Sequence, residues 1–145
     1  MTHKEKAVDY FSKGFACSQA VLAAFGDELG ITTEQALRLA SCFNSGMRKG
    51  EVCGACTGAL MVLGLKYGQT SIEDTAARKT TNDLTSRFLD MFREKNGSYI
   101  CNSLLGYDVS TPDGAASARE QGLFGNLCPK MVASAVEVLE CIMSE

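Results

Sequence analysis

Residues 50 to 68 read GEVCGACTGALMVLGLKYG, and this stretch decides how the chain is expected to fold. Nearly every side chain from Cys53 to Tyr67 is apolar, and Gly68 ends the run. A helix that is apolar on all sides is typical of the centre of a domain. Gly54 and Gly58 lie four residues apart on one face, and a glycine inside a helix costs up to about 1 kcal/mol relative to alanine. The segment therefore predicts a central helix that another helix approaches closely at these two glycines.

The rest of the chain has the apolar periodicity of further helices. Thr2-x-x-Glu5 is a capping box, and Ser71-x-x-Asp74 resembles a second one. Helices are predicted over about residues 2–13, 17–28, 33–43, 53–67, 71–95, 99–105 and 129–143. Residues 44–50 are expected to be a flexible connection, and residues 106–127 a loop with a helical turn or two near 115–120. With no strand pattern, repeat or linker, the chain is predicted to be one all-α domain over residues 1–145, a bundle of about six helices.

Charge and hydropathy exclude several classes of function. The formal net charge is -3, and the only adjacent basic pairs, at 48–49 and 78–79, are isolated, which argues against nucleic-acid binding. The longest weakly polar run, residues 52–65, is shorter than the roughly 20 residues of a membrane span. The charged N-terminus MTHKEKAVDYF lacks the apolar core of a secretion signal. A cytoplasmic protein without a membrane span is expected.

Seven cysteines in so short a chain point to redox chemistry or metal binding, since structural disulfides are rare in a reducing compartment. Four of them, Cys17, Cys53, Cys101 and Cys128, fall at or near predicted helix starts. The free N–H groups and positive dipole end of a helix N-terminus favour the thiolate, which is both the nucleophile and the metal ligand. If these helix starts converge, they form a positive pocket that suits thiolates, a metal or a small anion.

The other three cysteines have simpler explanations. Cys42 and Cys141 lie among apolar neighbours inside or near the end of helices, which favours a place in the core. Cys56 is one turn after Cys53 on the same helix face, close enough for a disulfide, although packing is the favoured interpretation.

Three familiar kinds of site are disfavoured. The single C-x-x-C lacks the βαβ context of a thioredoxin fold and the second half of a zinc ribbon. The only histidine, His3, lies near the N-terminus, where a surface position is expected, so a Cys–His nucleophilic enzyme is disfavoured.

The chain resembles the redox-active protein family named for its pattern C…GCAxxG…C…C. The resemblance covers nearly the whole chain and rests on CSQAVL from Cys17, GEVCGACTGALMVLGLKYG around Cys53, CNSLLGYD from Cys101 and CPKMVASAVEVLE from Cys128. It implies a small helical protein that uses these four cysteines for redox chemistry on an unestablished substrate. The chain departs from the family at residues 44–45, Asn-Ser where a glycine pair is common, and at 102–103, Asn-Ser where Arg-Glu is common.

Three functions are therefore open, and whether the protein is an enzyme is open with them. In the first, Cys53 attacks a disulfide of a partner protein or a small oxidant, and Cys101, Cys128 or Cys17 resolves the intermediate. Cys53 is preferred because it starts the best-defined helix, with Arg48 and Lys49 nearby. In the second, the same four thiolates hold a metal ion or an iron–sulfur cluster. In the third, the cysteines only pack within a helical binding module, and a homodimer is open because so apolar a set of helices can leave one face uncovered.

Overall fold

The computed structural model describes all residues from 1 to 145, and it is helical throughout. The helices are α1 His3–Ser12, α2 Cys17–Gly26, α3 Thr33–Ala40, α4 Gly54–Tyr67, α5 Thr75–Asn96, α6 Cys101–Leu105, α7 Pro112–Glu120, α8 Leu123–Asn126 and α9 Cys128–Met143. A 3₁₀ turn, Asp27–Leu29, follows α2, and a π-type turn, Gly46–Gly50, precedes α4. The all-α prediction is confirmed. Two helices, α7 and α8, fall within residues 106–127, where a loop with a helical turn or two near 115–120 was expected.

Side-chain caps explain four of the nine helix starts, those of α1, α3, α5 and α7. The hydroxyl of Thr2 accepts a hydrogen bond from the Glu5 amide at the start of α1, and Thr32 caps α3 in the same way through Gln35. The predicted start of α5 was four residues early. Asp74, not Ser71, is the cap, because its carboxylate accepts from the amide of Ala77.

The core forms around α4, as the sequence predicted. Its closest neighbour is α2: a β-carbon added at Gly58 would stand 2.6 Å from the carbonyl oxygen of Ser18. Glycine at this position thus allows the two backbones to approach. The buried hydroxyl of Ser18 then donates to the carbonyl of Ala40 at 2.8 Å, which ties α2 to the end of α3. The close approach expected at the glycines of α4 is confirmed.

Two apolar clusters fill the interior. The larger contains 24 buried residues and joins α1, α2, α3, α4, α5 and α9 around Phe25, Phe88 and Phe92. The smaller consists of Cys101, Leu105, Val109 and Ala118, from α6, α7 and the segment between them. Leu127, just before α9, packs against both clusters. Four cysteines lie where the two clusters meet: Cys53 belongs to the larger cluster and Cys101 to the smaller, while Cys17 and Cys128 pack against them.

The segment before α4 is a closely packed turn rather than the open connection expected. Ser45, Met47 and Arg48 have left-handed backbone angles, with φ of 50°, 55° and 63°. Such angles cost of order 1 kcal/mol or more for a residue with a side chain, and they persist only where surrounding contacts hold them. The amide of Ser45 donates to the sulfur of Cys17, and the other end of the turn is closely packed, since a β-carbon at Gly50 would stand 2.1 Å from the side chain of Asn102.

None of the helices combines the length and the apolar character needed to cross a bilayer.

Candidate functional site

A cavity of about 140 Å³ lies between the two apolar clusters and is bordered by cysteines from four helix starts. They are Cys17, Cys53, Cys101 and Cys128, the four that the sequence singles out. Cys53 and Cys101 are buried, with 7% and 8% of their surface exposed, while Cys17 and Cys128 are half-buried. Residues separated by up to 111 positions thus share one small space.

A short backbone pairing aligns Cys53 with Cys101. Val52 and Ile100 form an isolated antiparallel bridge, the only β-type pairing in the protein. On either side of it, the amide of Cys53 donates to Tyr99 at 2.8 Å and the amide of Cys101 donates to the carbonyl of Glu51 at 2.6 Å. Since both cysteines follow the bridged residues directly, their side chains leave the pairing on the same face. The start of α4 and the start of α6 are thereby held together.

Cys17 reaches the cavity because Gly54 leaves room for it. A β-carbon at Gly54 would stand 2.3 Å from the Sγ of Cys17. The amides of Ser45 and Ser18 donate to this sulfur. Ser45 is one of the strained residues of the turn before α4, so the strained backbone contacts the site directly. The fourth cysteine, Cys128, is the first residue of α9.

Cys53 is the one cysteine of the four with a lowered pKa. The main cause is a hydrogen bond from the thiol of Cys56, supported by the amides of Ala55 and Cys56 at the helix N-terminus. These interactions outweigh the effect of burial. Arg48 and Lys49, which the sequence offered as the source of activation, are exposed and do not contribute. Cys53 is therefore the cavity cysteine whose thiol loses its proton most readily.

Burial dominates at the other three helix starts. It raises the pKa of Cys101 to about 12 and that of Cys128 to about 11, with a further contribution from the charge of Cys53. The pKa of Cys17 is also raised, first by burial and then by the charges of Cys53 and Cys128. Placing a cysteine at a helix start is thus not sufficient to stabilise its thiolate. The site holds one activated sulfur among protonated thiols.

Cys56 has more than the packing role that the sequence favoured. It is completely buried, which fits packing. Its thiol also contacts Cys53, and burial followed by that hydrogen bond raises its own pKa. Cys56 therefore stays protonated and acts as a donor to the Cys53 sulfur. The three-residue spacing of the C-x-x-C is the sequence signal that indicates this contact.

Cys42 and Cys141 are exposed, so the core positions predicted for them were wrong. Cys42 lies beyond the end of α3, where the turn leaves the core. Cys141 falls on the solvent face of α9, one helical turn after the half-exposed Glu137. Apolar sequence neighbours were a poor guide here because adjacent residues of a helix point in different directions. Neither cysteine lines the cavity.

The site's remaining residues give it an apolar character that the sequence did not reveal. Phe11 from α1, Leu104 and Leu105 from α6, Phe124 from α8, and Leu127 and Met131 around α9 complete the lining with Ala16, Gly54, Asn44 and Ser45. None of the lining residues is charged. The pocket is therefore apolar except at Asn44, Ser45, the cysteine sulfurs and the amides around them.

The geometry does not fit a preformed metal centre. No group of three or more cysteine, histidine, aspartate or glutamate side chains is arranged to hold a metal ion. Structural zinc sites use four converging ligands, and the four cavity cysteines do not form such a group. All seven cysteines are free thiols.

Comparison with known proteins agrees with the resemblance seen in the sequence. No curated protein and no solved structure shows significant similarity to the chain. The family model described as "Putative redox-active protein (C_GCAxxG_C_C)" matches residues 15–142, which include all four cavity cysteines. Because the match extends over most of the chain, the protein belongs to the C_GCAxxG_C_C family.

Proposed function

We propose that the protein carries out thiol–disulfide exchange, with Cys53 as the attacking thiolate. The observation that carries the proposal is the contrast within one cavity. Cys53 has a lowered pKa, whereas Cys17, Cys101 and Cys128 have raised ones. A thiolate next to protonated thiols is the reduced state that such chemistry requires.

The reaction has two steps. The Cys53 thiolate attacks one sulfur of a disulfide, R–S–S–R, forms a mixed disulfide with R–S, and releases the other half as a thiolate, which takes up a proton. A second cysteine then gives up its proton and attacks the Cys53 sulfur, which releases the second R–S. The net result is one disulfide reduced to two thiols and two protein cysteines oxidised to one disulfide.

The second cysteine comes from those around Cys53. Cys17, Cys101 and Cys128 share the cavity, and Cys56 contacts Cys53 from within α4. All four have raised pKa values, so each enters the second step as a thiol. The charge of Cys53 contributes to each of those raised values, and it disappears once Cys53 is in the mixed disulfide. The resolving thiol therefore becomes easier to ionise at the moment when it has to attack.

Peptide mapping after a limited dose of oxidant tests the proposal. The reduced protein is treated without oxygen with bis(2-hydroxyethyl) disulfide, quenched in acid and digested. We expect the chain to lose two hydrogens without retaining reagent, and Cys53 to be found in a disulfide with one of its four neighbours. Adducts confined to Cys42 and Cys141, with Cys53 still free, would contradict the proposal.

Two variants make the result specific. Cys53→Ala removes the attacking sulfur and is expected to abolish the internal disulfide, whereas Cys42→Ala removes an exposed thiol and should leave it unchanged. Far-ultraviolet circular dichroism and a thermal melt establish that both variants are folded. If folded Cys53→Ala formed the same disulfide at the same rate, another cysteine would be the attacker.

A further inference from the structure

We infer that the site selects a small, uncharged, apolar disulfide and discriminates against charged ones. This inference rests on the proposed thiol–disulfide exchange and adds the chemical class of its substrate. The observations behind it are the size of the cavity and the nature of its walls.

The cavity admits only a small molecule. Its volume is about 140 Å³, and an apolar cavity of about 150 Å³ in another protein holds one benzene molecule. The disulfide that fits therefore carries short substituents on its sulfurs, of the size of an ethyl or propyl group. A peptide-sized thiol compound could place only its reacting end in this space.

The side chains of the walls offer no partner to a charged group. No aspartate, glutamate, lysine, arginine or histidine lies among the 14 lining residues. The polar side chains of the lining, Asn44 and Ser45, lie together on the turn before α4. A charge taken from water into such a space without a partner is strongly disfavoured, whereas an alkyl group gains from leaving water. The discrimination follows from transfer free energy and needs no specific contact.

The Cys53 thiolate does not reverse this preference. It is an anion, so it repels anionic reagents and attracts cationic ones. Selection by the thiolate alone would therefore make a cationic reagent faster than a neutral one. Selection by the apolar walls makes both charged forms slower, and this difference separates the two causes.

The test uses three methanethiosulfonates that differ mainly in charge. These are the propyl, the 2-aminoethyl and the 2-carboxyethyl reagents, of which the first two match in size. Each transfers its R–S group to a thiolate. Rates are followed at individual cysteines by quenching and peptide mass spectrometry. Because Cys42 and Cys141 are exposed, they serve as internal standards for the intrinsic reactivity of each reagent.

For each reagent, the rate at Cys53 is divided by its rate at Cys42. We expect this normalised rate to be at least about tenfold higher for the propyl reagent than for either charged reagent, which corresponds to about 1.4 kcal/mol. Equal normalised rates for the three reagents would overturn the inference but leave thiol–disulfide exchange intact. A cationic reagent as fast as the neutral one would also overturn it, in favour of simple attraction to the thiolate. If Cys53 reacted with none of the three, the proposed function would fail with it.

A charge placed in the wall provides the second arm. Phe124 is a half-buried lining residue that packs against the edge of the smaller cluster, and Phe124→Lys puts a cation at the cavity. Ile72→Lys makes the same charge change at a residue that is 87% exposed and does not line the cavity. We expect Phe124→Lys to raise the normalised rate of the carboxyethyl reagent at Cys53 severalfold and Ile72→Lys to leave it unchanged. The same response in both variants, or none in a folded Phe124→Lys, would mean that the wall does not select.

Discussion

The backbone of Gly54 lies against the sulfur of Cys17, at a separation that leaves no room for a side chain. A β-carbon at this position would stand 2.3 Å from that sulfur and 3.1 Å from the carbonyl oxygen of Phe43. One missing side chain on α4 thus allows the first residue of α2 to reach the cavity. Gly54 therefore both lets α4 pack closely against α2 and admits the Cys17 sulfur to the site.

Gly54→Ala is expected to destabilise the fold by about 1–3 kcal/mol, since Cys17 or the helix must move to admit the methyl group. Gly64→Ala is the matched control, because it lies in the same helix with nothing within 4 Å of an added β-carbon. Helix propensity predicts that the control is neutral or stabilising by up to about 1 kcal/mol. Urea unfolding measures both. Equal effects of the two substitutions would mean that Gly54 is not required for packing.

Removal of Cys56 should raise the pKa of Cys53, because its thiol is the main source of the lowered value. The rate of Cys53 alkylation is expected to rise with pH, and the midpoint of this rise should lie below the pKa of an ordinary thiol. In Cys56→Ala this rise should move to higher pH, and Cys56→Ser, which keeps a donor, should recover part of the shift. Iodoacetamide labelling followed by peptide mapping gives the profile. Cys141→Ala is the control, because it alters an exposed cysteine outside the cavity. If Cys56→Ala gave the same pH profile as Cys141→Ala, Cys56 would have only a packing role.

The free energy of unfolding should fall in alkaline solution because of the raised thiol pKa values. An unfolded thiol ionises near its ordinary value of 9.0, whereas folded Cys128 and Cys101 keep their protons to about 11 and about 12. Between pH 9 and these higher pKa values the folded state binds more protons than the unfolded state. The contribution of these thiols to the free energy of unfolding is therefore complete below about pH 9 and decreases as the pH rises above it. Each such thiol contributes up to about 1.4 kcal/mol per pH unit.

Urea unfolding under reducing conditions at several alkaline pH values measures this slope. Cys101→Ala should reduce the slope, while Cys42→Ala, at an exposed position, provides the control for lysine and tyrosine ionisation that all forms share. The slope, rather than the absolute stability, is the readout, because Cys101→Ala also leaves a small cavity. Identical slopes in the two variants would contradict the raised pKa of Cys101.

Asn102 supports the segment that carries Cys101. Its side-chain oxygen accepts from the buried amide of Val109 at 2.9 Å, and its nitrogen donates to Asp108 at 3.0 Å. Asn102→Ala leaves the Val109 amide without a partner, so we expect a loss of about 1–3 kcal/mol. Hydrogen exchange at Val109 should accelerate in this variant. Ser103→Ala, at the exposed neighbouring position, is the control, and an unchanged exchange rate at Val109 in Asn102→Ala would contradict the bonding described here.

Helix positions were largely readable from the sequence because capping is local. Thr2, Thr32 and Pro129 each stand at the observed start of a helix, since their side chains act on amides or angles within a few residues. The start of α5 was misplaced for the same reason, as Ser71 and Asp74 are both competent caps. The choice of Asp74 depends on where the chain turns.

The individual cysteines were less predictable. Helix-start positions identified the four that share the cavity, but not the direction of their pKa shifts. Those shifts depend on how much water each sulfur loses, and burial is a property of the packed molecule. The sequence also did not show that Cys42 and Cys141 are exposed or that Cys56 contacts Cys53. Whether a cysteine side chain is exposed or in contact depends on which side of its helix or turn faces the core.

The helical fold, the central place of α4 and the four cysteines at helix starts could all be read from the sequence, because apolar period, glycine spacing and capping act over a few residues. Packing of the whole chain was needed to bring these cysteines into one cavity without Asp, Glu, Lys, Arg or His in its lining, where Cys53 has a lowered pKa and the thiol of Cys56 donates to its sulfur. Six helices contribute to that lining, and their spacing and the water they exclude are fixed only when all of them pack together.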